Sequence, residues 1–318
     1  MHKLLCKVYT IINLFLLTMK NIAIIDLGSS AVKLNVYKLP SKKAVYKESK
    51  TVNMAKNFYP TQVISDLAIK RVIKALNEFN TTLLAIKNVE IKLVTTGVAR
   101  KAKNLLDLSG IIKNEIDWDL DVISAEDEAD IFYKGVVYDF DPKLKLCAIN
   151  IGVGGTEISF GDNKKAKIIK SFPIGISGMN EMFLRNDPPL ESSVVKLMNY
   201  VDTELEEYGL SKKKADIVIY TGGELDYMKK TNHPLTTSIY SPSHPKEISL
   251  DLFKRKFQEI KSMKKEDLYK FMPENPKWMD GVVSCSAIAI VIAEKLGVNI
   301  IVPSNKNLND GLLLLYKF

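Results

Sequence analysis

Two short stretches of the 318-residue chain carry residue types whose spacing suits work on an anion: DLGSS at 26–30 and NIGVGGTE at 150–157. A turn of glycines and hydroxyl residues lets backbone N–H groups come close to an anion, and phosphate is the usual occupant. Asp26 ends the strand before the first turn, where a carboxylate suits Mg²⁺, a hard ion that keeps its waters and takes one or two carboxylates. Glu157 stands directly beyond the second turn and would repel a phosphate unless it has a chemical task. Orienting or deprotonating an attacking water is such a task. A D-x-G-S turn by itself is equally a plain structural hairpin; two of them are a stronger signal. Arg100, in TTGVARKAKN at 95–104, is placed near a helix start, either to fork onto phosphate oxygens or as an exposed helix arginine. SAEDEA at 124–129 sets three acids at a helix start, which the helix dipole alone would explain.

The elements that must position these residues are repeated. NIAIIDLGSSAVKLNVY at 21–37 and KLCAINIGVGGTEISFG at 145–161 align without gaps at an offset of 124 residues. Asp26 falls on Asn150, Gly28 on Gly152 and Lys33 on Glu157. Each copy is an apolar run fit for a strand buried on both faces, a small-residue turn, and an alternating strand, hence a β-hairpin. In the first copy the alternation sets Val32, Leu34 and Val36 on one face and Lys33, Asn35 and Tyr37 on the other. Between the copies, residues 66–86 read as a helix with Leu67, Val72, Ile73, Leu76 and Phe79 on one side. A strand at 90–95, a helix containing Arg100 and Asn104, a strand at 121–124 and a helix at 126–137 follow. After the second copy come helices at 190–208, 250–262, 265–271, 281–296 and 308–316, strands at 216–220 and 299–302, and a loop at 236–245. Alternating strands and helices around a duplicated hairpin predict an α/β protein of two similar lobes, with the two turns facing a cleft between them. The boundaries expected are an extension at 1–18, lobe I at 19–124 and lobe II at 125–303, the closing helix at 304–318 packing on lobe I.

At this length and 46% hydrophobic content the chain can bury two sizeable cores. The net charge of +8 comes from lysines spread along the chain, which fits a solvated surface or an anionic partner. Cys6, Cys147 and Cys285 form neither a disulfide framework nor a zinc pattern, as in a reducing cytoplasm. The apolar stretch at 4–18 is interrupted by Lys7, lacks a small-x-small cleavage site and is short of the ~20 residues of a membrane span. Met19 is the expected start, and no stable membrane association is expected.

The set IAIIDLGSSAVKLNVY, VTTGVARKAKN, VISAEDEADIFYKGV, INIGVGGTEISFG and SFPIGISGMNEMF resembles the exopolyphosphatase and guanosine pentaphosphate phosphohydrolase (Ppx/GppA) family. IYTGGE and LNDGLLLLY extend the resemblance, which runs from Met19 to Phe318. It implies the duplicated ribonuclease-H-like lobes of the actin and sugar-kinase superfamily, in the short two-domain form without a histidine–aspartate metal hydrolase domain. It also implies Mg²⁺-dependent removal of orthophosphate from polyphosphate, or of the 5′-phosphate from guanosine pentaphosphate, in the cytoplasm. Nucleic acid is not an expected partner, and a homodimer is compatible with the family.

By that resemblance Asp26, Gly28, Ser29 and Ser30 form the first phosphate loop, with Asp26 and Asn150 at the metal. Gly152, Gly154, Gly155 and Thr156 form the second loop, Arg100 contacts phosphate, and Glu128 and Glu157 are the catalytic acids. Gly222 and Gly223 match a later glycine turn that lies near a nucleoside in related folds. The second loop departs from the family's D-I-G-G-G-S-T-E: Asn150 replaces the acid, Val153 a glycine and Gly155 a serine. Ser30 stands where Asn is usual, Ala125 where Gly is common, and Cys285 where a glycine follows a motif of which Asp280 survives. Asn150 offers a carbonyl oxygen without the charge, and a turn needing positive φ at Val153 would be strained. Three functions follow in order: the hydrolase, a polyphosphate or guanosine-polyphosphate sensor with weakened turnover, and a small-molecule kinase of the superfamily.

Overall fold

A computed structural model describes residues 20–39, 41–56, 58 and 61–315. The expected extension at 1–18, Cys6 and the proposed start at Met19 lie outside them, as does Tyr316. The chain forms two compact units: residues up to Ile131 together with those from Leu312, and Phe132–Gly311. The division falls inside a helix, Ala125–Val137, instead of ahead of it at Ser124 and Ala125.

The first unit begins with the hairpin β1 (Asn21–Leu27) and β2 (Ala31–Lys38), followed by β3 (Lys43–Thr51). Then come α1 (Asp66–Leu84), β4 (Val89–Thr95), α2 (Leu105–Ile116), β5 (Leu120–Val122) and the start of α3 (Ala125–Val137). The sheet order is β3-β2-β1-β4-β5, with β1, β4 and β5 parallel and β2 and β3 antiparallel. Ser65 caps α1 by accepting the Ala68 N–H, and Val72, Leu76 and Phe79 share one core with Ala23, Ile25 and Leu27 of β1. Leu67 is 66% exposed, against expectation, because at 100° per residue it points away from the stripe that Ala68, Val72, Ala75 and Phe79 form. Asn35 and Tyr37 share the expected face of β2, where both are buried and Asn35 Nδ2 donates to the Tyr37 hydroxyl at 3.1 Å; Lys33 and Lys38 are the exposed residues of the strand.

In the second unit β6 (Leu146–Ile151), β7 (Thr156–Gly161) and β8 (Ala166–Phe172) repeat the hairpin and its third strand. Next are α4 (Ile176–Phe183), α5 (Glu191–Glu207), β9 (Ile217–Thr221) and α6 (Glu224–Lys230). The remainder is β10 (Thr236–Thr237), β11 (Lys246–Ser249), α7 (Leu250–Lys261), α8 (Lys265–Tyr269), α9 (Val282–Leu296), β12 (Ile300–Pro303) and α10 (Leu308–Leu315). The sheet runs β8-β7-β6-β9-β12-β11-β10, with β6, β9 and β12 parallel. Its first five strands repeat the order and the directions of the whole first sheet, as duplicated ribonuclease-H-like lobes require.

The duplication holds residue by residue. Asp26 pairs with Lys33 across the first hairpin and Asn150 with Glu157 across the second. Ala23, Ile25 and Leu27 face a helical core, and so do their counterparts Cys147, Ile149 and Ile151. Asp26 and Asn150 therefore lie on the opposite face of their strands, since side chains alternate. The strands β3 and β8 and the helix α4 are elements beyond those expected from the sequence; β3 and β8 extend the two hairpins at the sheet edges.

Candidate functional site

In the first unit the turn closes by the Gly28 N–H donating to Ala31 O at 3.0 Å. That N–H is consumed inside the hairpin, and a Cβ at Gly28 would lie 3.1 Å from the same carbonyl, so this glycine serves the shape of the turn. Ser29 Oγ accepts the Val98 N–H at 3.1 Å, leaving its hydroxyl proton to donate elsewhere. Gly97, at φ +58°, permits that contact: a Cβ there would lie 2.3 Å from Ser29 Oγ. Ser30 O accepts two N–H groups, from Val52 and Asn53, each at 2.9 Å, which fastens the back of the turn. Among the described residues the N–H groups of Ser29 and Ser30 close no bond within the turn.

Asp26 is half-buried, and its Oδ1, which is buried, has no hydrogen-bond partner. Burial pushes its carboxyl up to about 6; the Lys33 ammonium opposes the rise and the Glu128 carboxylate adds to it. Arg100 sits on a single 3₁₀ turn, Ala99–Lys101, and not in the expected helix, because Ala102 is extended and α2 begins only at Leu105. Asn104 turns its amide to the backbone of Ile64, at 3.0 and 2.9 Å. Arg100 Nη1 donates to Ile123 O and to Glu128 Oε2, both at 2.8 Å, so these two bonds leave Nε–H and the second amino group of the fork unused. Asp26, Ser29, Arg100 and Glu128 thus belong to one unit, with a direct ion pair between the last two.

In the second unit the Gly152 N–H donates to Gly155 O at 2.8 Å, the counterpart of the Gly28 bond at the same offset. The carbonyls of Gly152 and Val153 accept the N–H groups of Ile176 and Ser177 at 3.1 and 3.0 Å, tying the turn to the first residues of α4. Gly175 must be a glycine, since its Cβ would meet Gly155 N at 2.3 Å and Val153 O at 2.6 Å. Gly155 is similarly closed by Phe172 O, whereas a Cβ at Gly154 would find open space. The strain expected at Val153 is not there: its φ is not positive, and its side chain is 66% exposed. Thr156 is fully buried and its hydroxyl donates to Ile174 O at 2.5 Å, so the side chain anchors β7 and does not face an anion. Asn150 Nδ2 donates to Glu157 Oε2 at 3.4 Å, and Glu157 is exposed.

Gly222 and Gly223 have φ of +121° and +102°, conformations that glycine alone adopts without strain. Gly222 borders a cavity of about 560 Å³ in the second unit that also reaches Gly152, Tyr220, Glu224, Tyr227, Trp278 and Cys285. Sequence reasoning passed over this cavity, over Glu224, and over Gly97 and Gly175, although these two glycines lie within TTGVARKAKN and SFPIGISGMNEMF. Among the described residues no three His, Cys, Asp or Glu side chains gather into a metal cluster. A single carboxylate with a buried, unpartnered oxygen is nevertheless what Mg²⁺ needs from a protein when phosphates and waters complete its shell.

Residues 36–316 match the model of the Ppx/GppA phosphatase family. The chain belongs to the Ppx/GppA phosphatase family. Exopolyphosphatase 1 of Mycobacterium bovis is 24% identical over 190 residues, 58% of this chain and 55% of that protein. A guanosine-5′-triphosphate,3′-diphosphate pyrophosphatase of Aeromonas hydrophila is 27% identical over 164 residues, 51% of this chain and 33% of that protein. The chain spans about half the length, or less, of the curated relatives it matches. The crystal structure of an Aquifex aeolicus Ppx/GppA family member superposes with a TM-score of 0.77 at 25% identity, over 93% of this chain and 97% of that one. The Ppx/GppA match starts inside β2 and does not include the first turn. No helix among the described residues is long and apolar enough to cross a membrane.

Proposed function

We propose that the chain is a phosphoanhydride hydrolase, Mg²⁺-dependent, that releases terminal orthophosphate from inorganic polyphosphate or the 5′-phosphate of guanosine pentaphosphate. The observation that carries this is Asp26: a buried carboxylate oxygen without a partner, in the unit where Arg100 and Glu128 are joined at 2.8 Å. A bound Mg²⁺ would neutralise charge on phosphoryl oxygens, and Asp26 would hold it. The Ser29 hydroxyl and the free N–H groups of Ser29 and Ser30 would donate to the phosphate, as would the unused edge of Arg100. Glu128, with a third of its side chain exposed and its position fixed by Arg100, would orient the attacking water and take its proton. Glu157 has an exposed carboxylate for the same task in the second unit. Names of the relatives, exopolyphosphatase and guanosine pentaphosphate pyrophosphatase, favour the two substrates equally.

A second function, a sensor that binds and does not turn over, is favoured by one observation: Asn150 stands where the duplication has Asp26, and its amide touches Glu157. Phosphate release from long-chain polyphosphate and from guanosine pentaphosphate, with and without Mg²⁺, separates the two. Wild type is expected to release phosphate only with the metal, and Glu128→Gln to lower kcat by about 10²–10⁴-fold. Wild type that binds polyphosphate without release, with turnover appearing in Asn150→Asp, would make the protein a sensor. Full activity in both Glu128→Gln and Glu157→Gln would remove these residues from the chemistry.

A further inference from the structure

The face of the first sheet that carries Asp26 continues past it into cations that the turn does not use. Asp26 pairs with Lys33 across β1 and β2, and Lys33 with Ser49 across β2 and β3, so the three share one face. Asn35, two residues along β2 on that face, pairs with Lys47. Lys33, Lys47 and Ser49 are exposed, and the Lys33 ammonium is near enough for its charge to act on the Asp26 carboxyl. Lys50, on the opposite face of β3, is ion-paired with Glu48 and Glu78, whereas among the described residues Lys33 and Lys47 close no ion pair. The exposed residues of β2 and β3 include Lys33, Lys38, Lys43 and Lys47 and no carboxyl group.

Lysines on an edge strand discourage pairing with another chain, and β3 is such an edge. That does not account for Lys33, because β2 lies inside the sheet between β1 and β3. The duplication sharpens the point: the same two places in the second sheet hold Glu157, paired with Ser171, and Ile169, paired with Ser159. The two cations therefore belong to the first turn alone. Directly paired residues of neighbouring strands stand about 5 Å apart and diagonal ones about 7–8 Å, within reach of lysine side chains. A phosphate at the first turn is thus followed by Lys33 and, one diagonal step further, by Lys47. Unpaired ammonium groups in this sequence suit an anion that repeats its charge along its length. A base would find no exposed ring to stack on, since Tyr37, the aromatic residue of this face of β2, is buried. We propose that Lys33 and Lys47, with the Ser49 hydroxyl beside them, continue the phosphate site of the first turn as a track for a linear polyphosphate chain, so that the chain and not the nucleotide is the substrate class. This assignment rests on the hydrolase function proposed above, whereas the track itself is a matter of binding.

Calorimetric titration of the full chain with long-chain polyphosphate, tripolyphosphate and guanosine pentaphosphate, over a range of salt, tests this. Lys33→Ala and Lys47→Ala are each expected to weaken long-chain binding about fivefold. Each is also expected to make the fall of log affinity with log salt shallower by about 0.7, as for a contact to a single-stranded phosphate backbone. Lys47→Ala is expected to weaken tripolyphosphate less than the long chain, because the short chain ends before it. Lys74→Ala, an exposed lysine on the helix α1 that covers the other face of the sheet, is expected to bind both as wild type does. Long-chain affinity unchanged in Lys47→Ala overturns the proposal, as does the absence of long-chain binding. An equal loss in Lys74→Ala overturns it too and makes the lysines a general field. So does a loss of guanosine pentaphosphate affinity in Lys47→Ala as large as that of the long chain. Binding that depends on both lysines, without phosphate release by wild type, upholds the track and removes the hydrolase assignment; release by wild type with affinity unaltered in both variants does the reverse.

Discussion

Glu224 gives the sharpest prediction at the scale of a single residue. Its native value, about 8, lies above its ordinary 4.5, so the folded chain holds a proton that the unfolded chain releases. Stability from this group is fully present below pH 4.5 and is lost as pH rises towards 8. Relative to Glu224→Gln, wild type is expected to match at pH 4 and to lose about 1.4 kcal/mol for each pH unit above 4.5, falling several kcal/mol behind near pH 8. Urea unfolding of both proteins across that range measures it; parallel curves would show that the carboxyl ionises freely in the fold. Gly97→Ala is a second case. Its φ of +58° and the 2.3 Å approach of a Cβ to Ser29 Oγ predict a loss of about 1–3 kcal/mol, and a Ser29 pushed away from the Val98 N–H. Its expected signature is phosphate release reduced at temperatures where the variant is still folded.

At the scale of elements, the second turn is held by α4 in a way the first turn is not. Ile176 and Ser177 donate to its carbonyls, and Gly175 sits against Gly154 and Gly155 too closely for any side chain. Gly175→Ala is therefore expected to cost about 1–3 kcal/mol, read as a lower urea midpoint with an unchanged slope. Gly154→Ala, where a Cβ meets open space, is expected to leave the midpoint within about 0.5 kcal/mol. Equal midpoints for the two variants would mean that α4 yields and does not hold the turn. This asymmetry gives physical content to the departures from the family pattern. Val153 is tolerated because its backbone is not left-handed there, and Gly155 is required because the Phe172 carbonyl occupies the space of a side chain.

For the whole molecule, two units with separate cores predict two unfolding events. Val72, Leu76 and Phe79 lie in the core of the first, while Phe253, Ile288 and Ile292 lie in the core of the second. Phe79→Ala is expected to lower one calorimetric transition and Phe253→Ala the other, each by an amount corresponding to about 3–5 kcal/mol. A single transition lowered alike by both would show the units to unfold as one.

The duplication was legible in the sequence because a hairpin of buried strand, small turn and alternating strand is a local pattern, set by residues within about ten positions of one another. Its register, the pairing of Asp26 with Lys33 and of Asn150 with Glu157, comes from the folded sheets. Family membership was legible for the same reason, since its motifs are short and contiguous. What the sequence by itself did not decide depends on partners far along the chain. That Arg100 reaches Glu128, that Thr156 spends its hydroxyl on Ile174, and that Gly97 admits Ser29 are each matters of contact, not of pattern. The cavity around Glu224 is assembled from the second turn, α4, β9, α6, and α9 with the residues leading into it, segments far apart along the chain. Hydrophobic periodicity determines which face of an element is buried; only the packing of elements decides which polar groups are enclosed without partners, because desolvation depends on everything that surrounds them.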